Sequence, residues 1–211
     1  MNRNLSFCSW NVRGLGQAAR REDVLAELIS ARPIIAALQE TKLQSLSALR
    51  PTSFLPSRLR NCVTRDSIGA SGGILTAWDD NLCTMTTSAS EQYTLTTCFR
   101  LAQDMTEFTF TNVYAPTRHE DKQSFFSELA AIAANIRGPW IVMGDFNLTR
   151  TPVDKNNDHF NAAEANGFND LINSLCLIEI PLSDRAYTWS NKREEPTLVR
   201  LDRCFCQRGM G

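Results

Sequence analysis

The sequence predicts an α/β fold of largely antiparallel sheets covered by helices. Three observations predict it: short strand-like runs outnumber helical ones, hairpin-length turns join many of them, and three amphipathic helical stretches are interspersed. The regular strand-helix alternation of a doubly wound parallel sheet is missing. With 211 residues, 43% of them hydrophobic, the chain can bury one sizeable core, and no linker, fixed repeat or low-complexity tract divides it.

The elements follow in order. Leu5 to Val12 alternates apolar with small or polar residues, which predicts a strand, and Gly14 and Gly16 break it. Gln17 to Ala31 places Val24, Leu25, Leu28 and Ile29 at helical spacing, with Arg20, Arg21, Glu22 and Asp23 outside. Pro33 ends that helix, and Ile34 to Gln39 predicts a buried strand closing in Glu40. Residues 43–60, with Pro51, Pro56 and many serines, are the least regular part. Gly69 to Gly73 lacks the Lys-Ser/Thr of a nucleotide loop and reads as a turn before the strand Gly73 to Trp78. Asp79-Asp80-Asn81 turns the chain into a threonine-rich strand pair at 82–88 and 92–101. Glu107 to Tyr114 alternates again until Ala115-Pro116 stops it. His119 to Arg137 forms a second amphipathic helix, with Phe125, Phe126, Leu129, Ile132, Ala133 and Ile136 inward. Trp140 to Met143 is a short buried strand running into Gly144-Asp145-Phe146-Asn147. Residues 161–175 predict a third helix, and Tyr187 to Ser190 and Val199 to Cys206 predict two late strands.

Charge narrows the functional classes. The formal net charge of −1 argues against a histone-like protein that binds nucleic acid by bulk electrostatics. It conceals an asymmetry: residues 1–70 carry 10 basic and 5 acidic side chains, and residues 71–170 carry 6 and 13. A basic first third could face phosphates, although ordinary surface charge is the plainer reading. No run of 18 apolar residues and no apolar leader core is present, so a membrane span and secretion are not expected. The seven cysteines lack a zinc-finger spacing. They fit a reduced, intracellular protein, nuclear or cytoplasmic, with Cys8, Cys98 and Cys204 as small buried hydrophobes. Two sequons, at Asn4 and Asn147, read as coincidence without a secretory signal.

Polar residues recur at the ends of apolar strands: Asn11, Glu40, Tyr114, and Asp145 with Asn147. Thr188 and Asp202 sit within the last two strands. Strand ends that meet at one edge of a packed sheet pair would gather these groups around a cleft. Such oxygen-rich sets suit a hard cation, Mg²⁺, which keeps open positions for phosphate. Singly, each has a plain structural reading: Asn11 a turn residue, Glu40 a solvated strand end, Tyr114 a strand terminator, Thr188 and Asp202 cross-strand surface residues. His119 and His159 lie outside any motif and read as surface residues.

Six motifs weigh against those plain readings. Trp10-Asn11-Val12-Arg13-Gly14-Leu15, Leu38-Gln39-Glu40-Thr41-Lys42, Asn112-Val113-Tyr114-Ala115-Pro116, Gly144-Asp145-Phe146-Asn147, Tyr187-Thr188-Trp189-Ser190 and Arg200-Leu201-Asp202-Arg203 occur in order. In that order and spacing the chain resembles the endonuclease/exonuclease/phosphatase family, most of all the apurinic-type endonuclease domain of plant non-long-terminal-repeat retrotransposons. The resemblance implies a four-layer αββα sandwich of two mainly antiparallel sheets flanked by helices, spanning residues 1–206, with 207–211 a divergent tail. It implies Mg²⁺-dependent phosphate ester hydrolysis, with Mn²⁺ as a substitute, acting on the DNA phosphate backbone without a membrane or an obligate protein partner. Carried over, Glu40 is the principal metal ligand, helped by Asn11, and Asp145 orients or deprotonates the attacking water. Asn147 holds the phosphate and that carboxylate, Tyr114 donates to the developing charge, and Thr188 contacts a substrate phosphate. Asp202 orients a catalytic histidine.

One departure matters. The family pattern continues into a further strand with a Ser-Asp-His motif, whereas this sequence runs only to Gln207-Arg208-Gly209-Met210-Gly211 after the Asp202 strand. Ser183-Asp184-Arg185 precedes the Tyr187 strand and carries Arg in place of His, so it is not that motif. The expectation is a truncated last strand, an unpaired sheet edge and impaired turnover, since a general acid contributes about 10²–10⁴-fold. Two functions therefore stand: a retroelement-derived DNA endonuclease-like domain, and a non-catalytic remnant that at most binds metal or nucleic acid. A phosphatase acting on small phosphates or lipids shares the motifs and is disfavoured by the retroelement look of residues 139–206.

Overall fold

Strand β2, Ile35–Gln39, is buried at every position, because each of its two faces meets a different layer. Ala36 and Leu38 pack with Val24 and Leu28 of helix α1, Ala18–Ala31, on one side. Ile35 and Ala37 pack on the other side with Phe99, Phe108 and Phe110 of a second sheet. In this computed structural model, which describes residues 5–45, 49–67, 69 and 72–207, that one strand already spans three of the four layers.

The first sheet has four strands in the order β1-β2-β4-β3, with β1 at Phe7–Asn11, β3 at Asn61–Arg65 and β4 at Ile74–Trp78. The second has six, β5-β6-β7-β8-β12-β9: Cys83–Ser90, Thr94–Leu101, Glu107–Tyr114, Trp140–Asp145, Asp202–Gln207 and Leu177–Ile180. Helices α2, Lys122–Asn135, and α3, Ala162–Ser174, form the fourth layer. There Phe125, Leu129, Phe168 and Ile172 pack on Trp140, Val142 and Phe205. A two-stranded hairpin, β10 (Trp189–Ser190) with β11 (Leu198–Val199), precedes β12. Among the described residues only β1–β2 and β7–β8 run parallel, so the sheets are mainly antiparallel and the four-layer αββα architecture expected from the resemblance is present.

Several local expectations are corrected. Residues 61–65 and 177–180 are strands that the sequence reading did not assign. The late run Val199 to Cys206 divides between β11 and β12, and β12 continues through Gln207, which pairs with Trp140. Ile29, assigned to the inner face of α1, is 56% exposed, because the helix touches its sheet through the narrower stripe of Val24 and Leu28. Cys8, Cys98 and Cys204 are half-buried, and the fully buried thiol is Cys83. The assigned turn at 69–73 falls partly outside the described residues, at 70 and 71, as do Arg208 to Gly211 of the tail and the sequon residue Asn4.

A polar bridge joins the two sheets where apolar packing would be expected. Gln39 donates to the Asn112 side-chain oxygen at 2.7 Å, and Asn112 donates to the Leu75 carbonyl at 2.9 Å, all three residues being fully buried. Directional bonds of this kind fix the register of one sheet on the other, which non-directional burial does not.

Candidate active site

Topology brings the strand-end residues together. β1 and β2 run parallel, as do β7 and β8, so Asn11, Glu40, Tyr114 and Asp145 all leave their strands at the same edge of the sandwich. β12 runs antiparallel to β8, and its first residue, Asp202, therefore stands opposite the last residue of β8, Asp145. Thr188 precedes β10 and reaches the same edge by hydrogen-bonding β12.

Asp145 lies at the centre. The Asn11 side-chain amide donates to its Oδ2 at 2.8 Å from the facing sheet, and the Asn147 N–H donates to its Oδ1 at 3.0 Å. Asn147 in turn donates through its side-chain amide to the Ala115 carbonyl at 2.9 Å, joining the loop after Asp145 to the loop after Tyr114. The Thr188 hydroxyl accepts from the N–H groups of Leu201 and Asp202, each at 3.0 Å.

The electrostatics follow from burial and like charge. Burial raises Asp145 above the usual carboxylate range and Glu40 adds to the rise, while the bonds from Asn11 and Asn147 and the charge of Lys122 oppose it. Asp202 is pushed up to about 7, first by burial and then by Asp145, with Thr188 and Arg13 opposing. Tyr114 is pushed up to about 12 by burial, Glu40 and Asp145, against the pull of Arg65, so its phenol is a neutral donor at neutral pH. These mutual effects tie Glu40, Tyr114, Asp145 and Asp202 into one field.

The backbone around the site is unusual in the same places. Among the described residues eight non-glycine residues have positive φ, and four of them, Arg13, Glu40, Lys42 and Asn147, belong to or adjoin the site. Such conformations persist where the surroundings over-determine them. Around Glu40 they do: Gly14 N–H donates to the Glu40 carbonyl at 2.7 Å, Leu15 to Thr41 at 3.0 Å, and Thr41 and Lys42 to Gly73 and Gly72 at 3.1 and 3.0 Å. Gly73 has φ +87°, and a Cβ there would stand 2.4 Å from the Thr41 hydroxyl, so the loop that aims Glu40 admits only glycine.

The donor set suits a hard divalent cation. Three carboxylates and the Asn11 amide oxygen offer oxygen ligands, and two of the carboxylates are raised, first of all by burial. Among the described residues no three His, Cys, Asp or Glu side chains stand close enough to hold an ion together. A cation there would be held by one or two protein groups and water. Glu40 is ion-paired to Lys42 at 3.1 Å, both partly exposed, a contact a cation would have to loosen.

A groove of about 820 Å³ adjoins the site, and Asn11, Asp145, Thr188 and Asp202 line one end of it. It continues along the whole of β1, whose outer edge pairs with no strand among the described residues. Arg13, Arg20, Arg185 and Lys192 also border it, and the Arg13 guanidinium lies 5.9 Å over the Trp189 ring. Glu40, Tyr114 and Asn147 are outside its lining. Sequence reasoning missed Arg13 as a charge beside Asp202, Arg65 beside Tyr114, and the buried Lys122; Arg13 at least stood inside a motif.

The sequence matches the Endonuclease/Exonuclease/phosphatase family over residues 8–210. This chain belongs to that family. A comparison with curated protein sequences found no match. Solved structures of similar fold include an AP endonuclease from Leishmania major, at TM-score 0.78 and 18% identity, covering 96% of this chain and 79% of that one. The endonuclease domain of TRAS1, a telomere-specific non-LTR retrotransposon, is similar at TM-score 0.69 and 15% identity, over 97% and 85%. The 3′ phosphatase NExo from Neisseria, bound to a product DNA hairpin, is similar at TM-score 0.74 and 16% identity, over 97% and 87%. These likenesses place the chain on the fold of the endonuclease/exonuclease/phosphatase family. No helix among the described residues is long and apolar enough to cross a membrane.

Proposed function

We propose that this member of the family is a Mg²⁺-dependent phosphodiester hydrolase domain of the DNA endonuclease type, derived from a retroelement, with turnover held low on its Asp202 side. One observation carries the reading: Asn11 clasps Asp145 across the two sheets, Glu40 acts on the same carboxylate electrostatically, and Asp145 in turn acts on Tyr114. The names of two similar structures, an AP endonuclease and a retrotransposon endonuclease domain, support the DNA and retroelement parts, as does the basic border of the groove.

Each side chain has a task. Glu40 and the Asn11 amide oxygen would hold the cation. Bound there, Mg²⁺, or Mn²⁺ in its place, supplies Lewis-acid stabilisation of charge on the phosphate oxygens. Asp145, aimed by Asn11 and Asn147, takes a proton from the attacking water, and its raised affinity for protons makes it the stronger base once ionised. Tyr114 donates to the growing negative charge, and Asn147, with one side-chain N–H left, holds a phosphate oxygen. Burial and then Asp145 raise Asp202, and Thr188 and Arg13 oppose them.

A second reading, a non-catalytic remnant, is favoured by what Asp202 faces. Among the described residues the groups acting on it are Asp145, Thr188 and Arg13, none of them an imidazole, and the groove beside it follows the edge of β1 that pairs with no described strand. His119 is spent on Glu164, 2.5 Å away. Supercoiled plasmid incubated with Mg²⁺ separates the readings. Slow nicking lost in Glu40→Ala and in Asp145→Ala supports the hydrolase; no nicking by folded protein leaves the remnant.

A further inference from the structure

Lys122 is an expensive residue where it stands. It opens helix α2 yet is only 4% exposed, and among the described residues its ammonium has no carboxylate at bonding distance. Instead Nζ donates to two carbonyls, those of Pro116 and of Asn147, the latter at 2.8 Å. A buried ammonium held by neutral acceptors loses more hydration than it recovers, and a methionine of similar length would pack there without that loss. The two carbonyls explain the choice. Pro116 lies two residues after Tyr114, and Asn147 two residues after Asp145, so one side chain staples the loops carrying both.

Asn147 shows what the staple does. Its φ is +48°, an uncommon conformation for a residue other than glycine. In that conformation its N–H meets Asp145 Oδ1 while its carbonyl turns the other way, onto Lys122. The bond from Nζ therefore holds the turn in the one shape that directs an N–H at the Asp145 carboxylate. Lys122 also acts on Asp145 as a positive charge.

We infer that Lys122 is a positioning residue: it locks the Ala115–Pro116 and Phe146–Asn147 loops together, so that the Asp145 carboxylate is held by Asn147 and Asn11 in a fixed direction. Its catalytic consequence rests on the proposed hydrolase reading; its structural consequence does not. The test replaces Lys122 by Met in the full chain and follows amide hydrogen exchange at Asn147, with Val142 in β8 as the core reporter. Exchange at Asn147 should quicken by about tenfold or more while Val142 is unchanged. In the nicking reaction kcat should fall by about tenfold at unaltered KM. Lys122→Arg, which keeps charge and donors, should restore protection at Asn147. Unchanged protection at Asn147, or equal loss at Val142, overturns the inference. Should Lys122→Met not fold, Lys122→Gln decides by the same comparison of the two amides. Selective loss at Asn147 in a protein that never nicks DNA would uphold the staple and reject the hydrolase.

Discussion

Asp145 and Asp202 are direct register partners across the β8–β12 ladder, and both carboxyls are raised, Asp202 to about 7. Like charges facing one another on neighbouring strands are destabilising, and here the arrangement is enclosed as well. A sequence selected for stability alone would not place two aspartates there.

Stability should therefore fall as pH rises. An unfolded aspartate titrates near about 3.9, below the folded Asp202, so between those values the unfolded state releases its proton first and gains. The protein in EDTA should melt lower at about pH 8 than at about pH 5, and Asp202→Asn should reduce that difference. Melting curves of the two proteins at both pH values check it; an unchanged slope in the variant would refute the assignment to Asp202.

Mg²⁺ should reverse the effect at the alkaline end. A ligand that binds only the folded state raises its melting temperature, and Glu40 is the proposed main contact. At about pH 8 added Mg²⁺ should raise the melting temperature of the native chain but scarcely that of Glu40→Gln. Isothermal titration of the same pair measures the loss directly.

Tyr114→Phe removes one hydroxyl and little packing. If the phenol donates to charge forming in the reaction, nicking should slow by about 10²-fold with the melting temperature nearly unchanged. An equal rate in the variant would remove Tyr114 from the chemistry.

Gly144 has no tolerance for a side chain. With φ at +152°, a Cβ would stand 2.0 Å from the Val113 carbonyl oxygen in the parallel neighbour β7. Gly144→Ala should destabilise by more than about 3 kcal/mol, and urea unfolding should show it. The strand would have to leave β7, and Asp145 would move with it.

The bridge between the sheets is open to a similar test. Asn112→Leu leaves the Gln39 amide buried without its closest acceptor, at a cost of about 1–3 kcal/mol in urea unfolding. The double variant Asn112→Leu, Gln39→Leu should recover part of that loss.

Much of this was legible in the chain itself, for identifiable reasons. Ile34 to Gln39 declared a strand covered on both faces because an unbroken apolar run has no solvent side to offer. Strand ends followed by Gly, Pro or a polar residue located Asn11, Glu40, Tyr114 and Asp145. Strand β3 was missed because Asn61-Cys-Val-Thr-Arg65 follows a Pro- and Ser-rich stretch, and its pairing with β4 supplies order that its own sequence does not. Strand β9 was missed because Ile178 and Ile180 are about half exposed, so its alternation does not mark a core face. Lys122 was invisible because a lysine at the start of a helix reads as solvated, and only the two carbonyls it meets say otherwise.

The central claim, that Asp145 and Glu40 form a Mg²⁺-dependent hydrolytic centre on this fold, is tested most directly by plasmid nicking. Purified chain, Glu40→Ala and Asp145→Ala are each incubated with supercoiled DNA and Mg²⁺, with folding of each checked by melting. Slow conversion to the nicked form by the native chain, abolished by EDTA and by either substitution, is the expected result. Folded native protein that leaves the plasmid supercoiled, or nicks it equally well without Glu40 and Asp145, would contradict it.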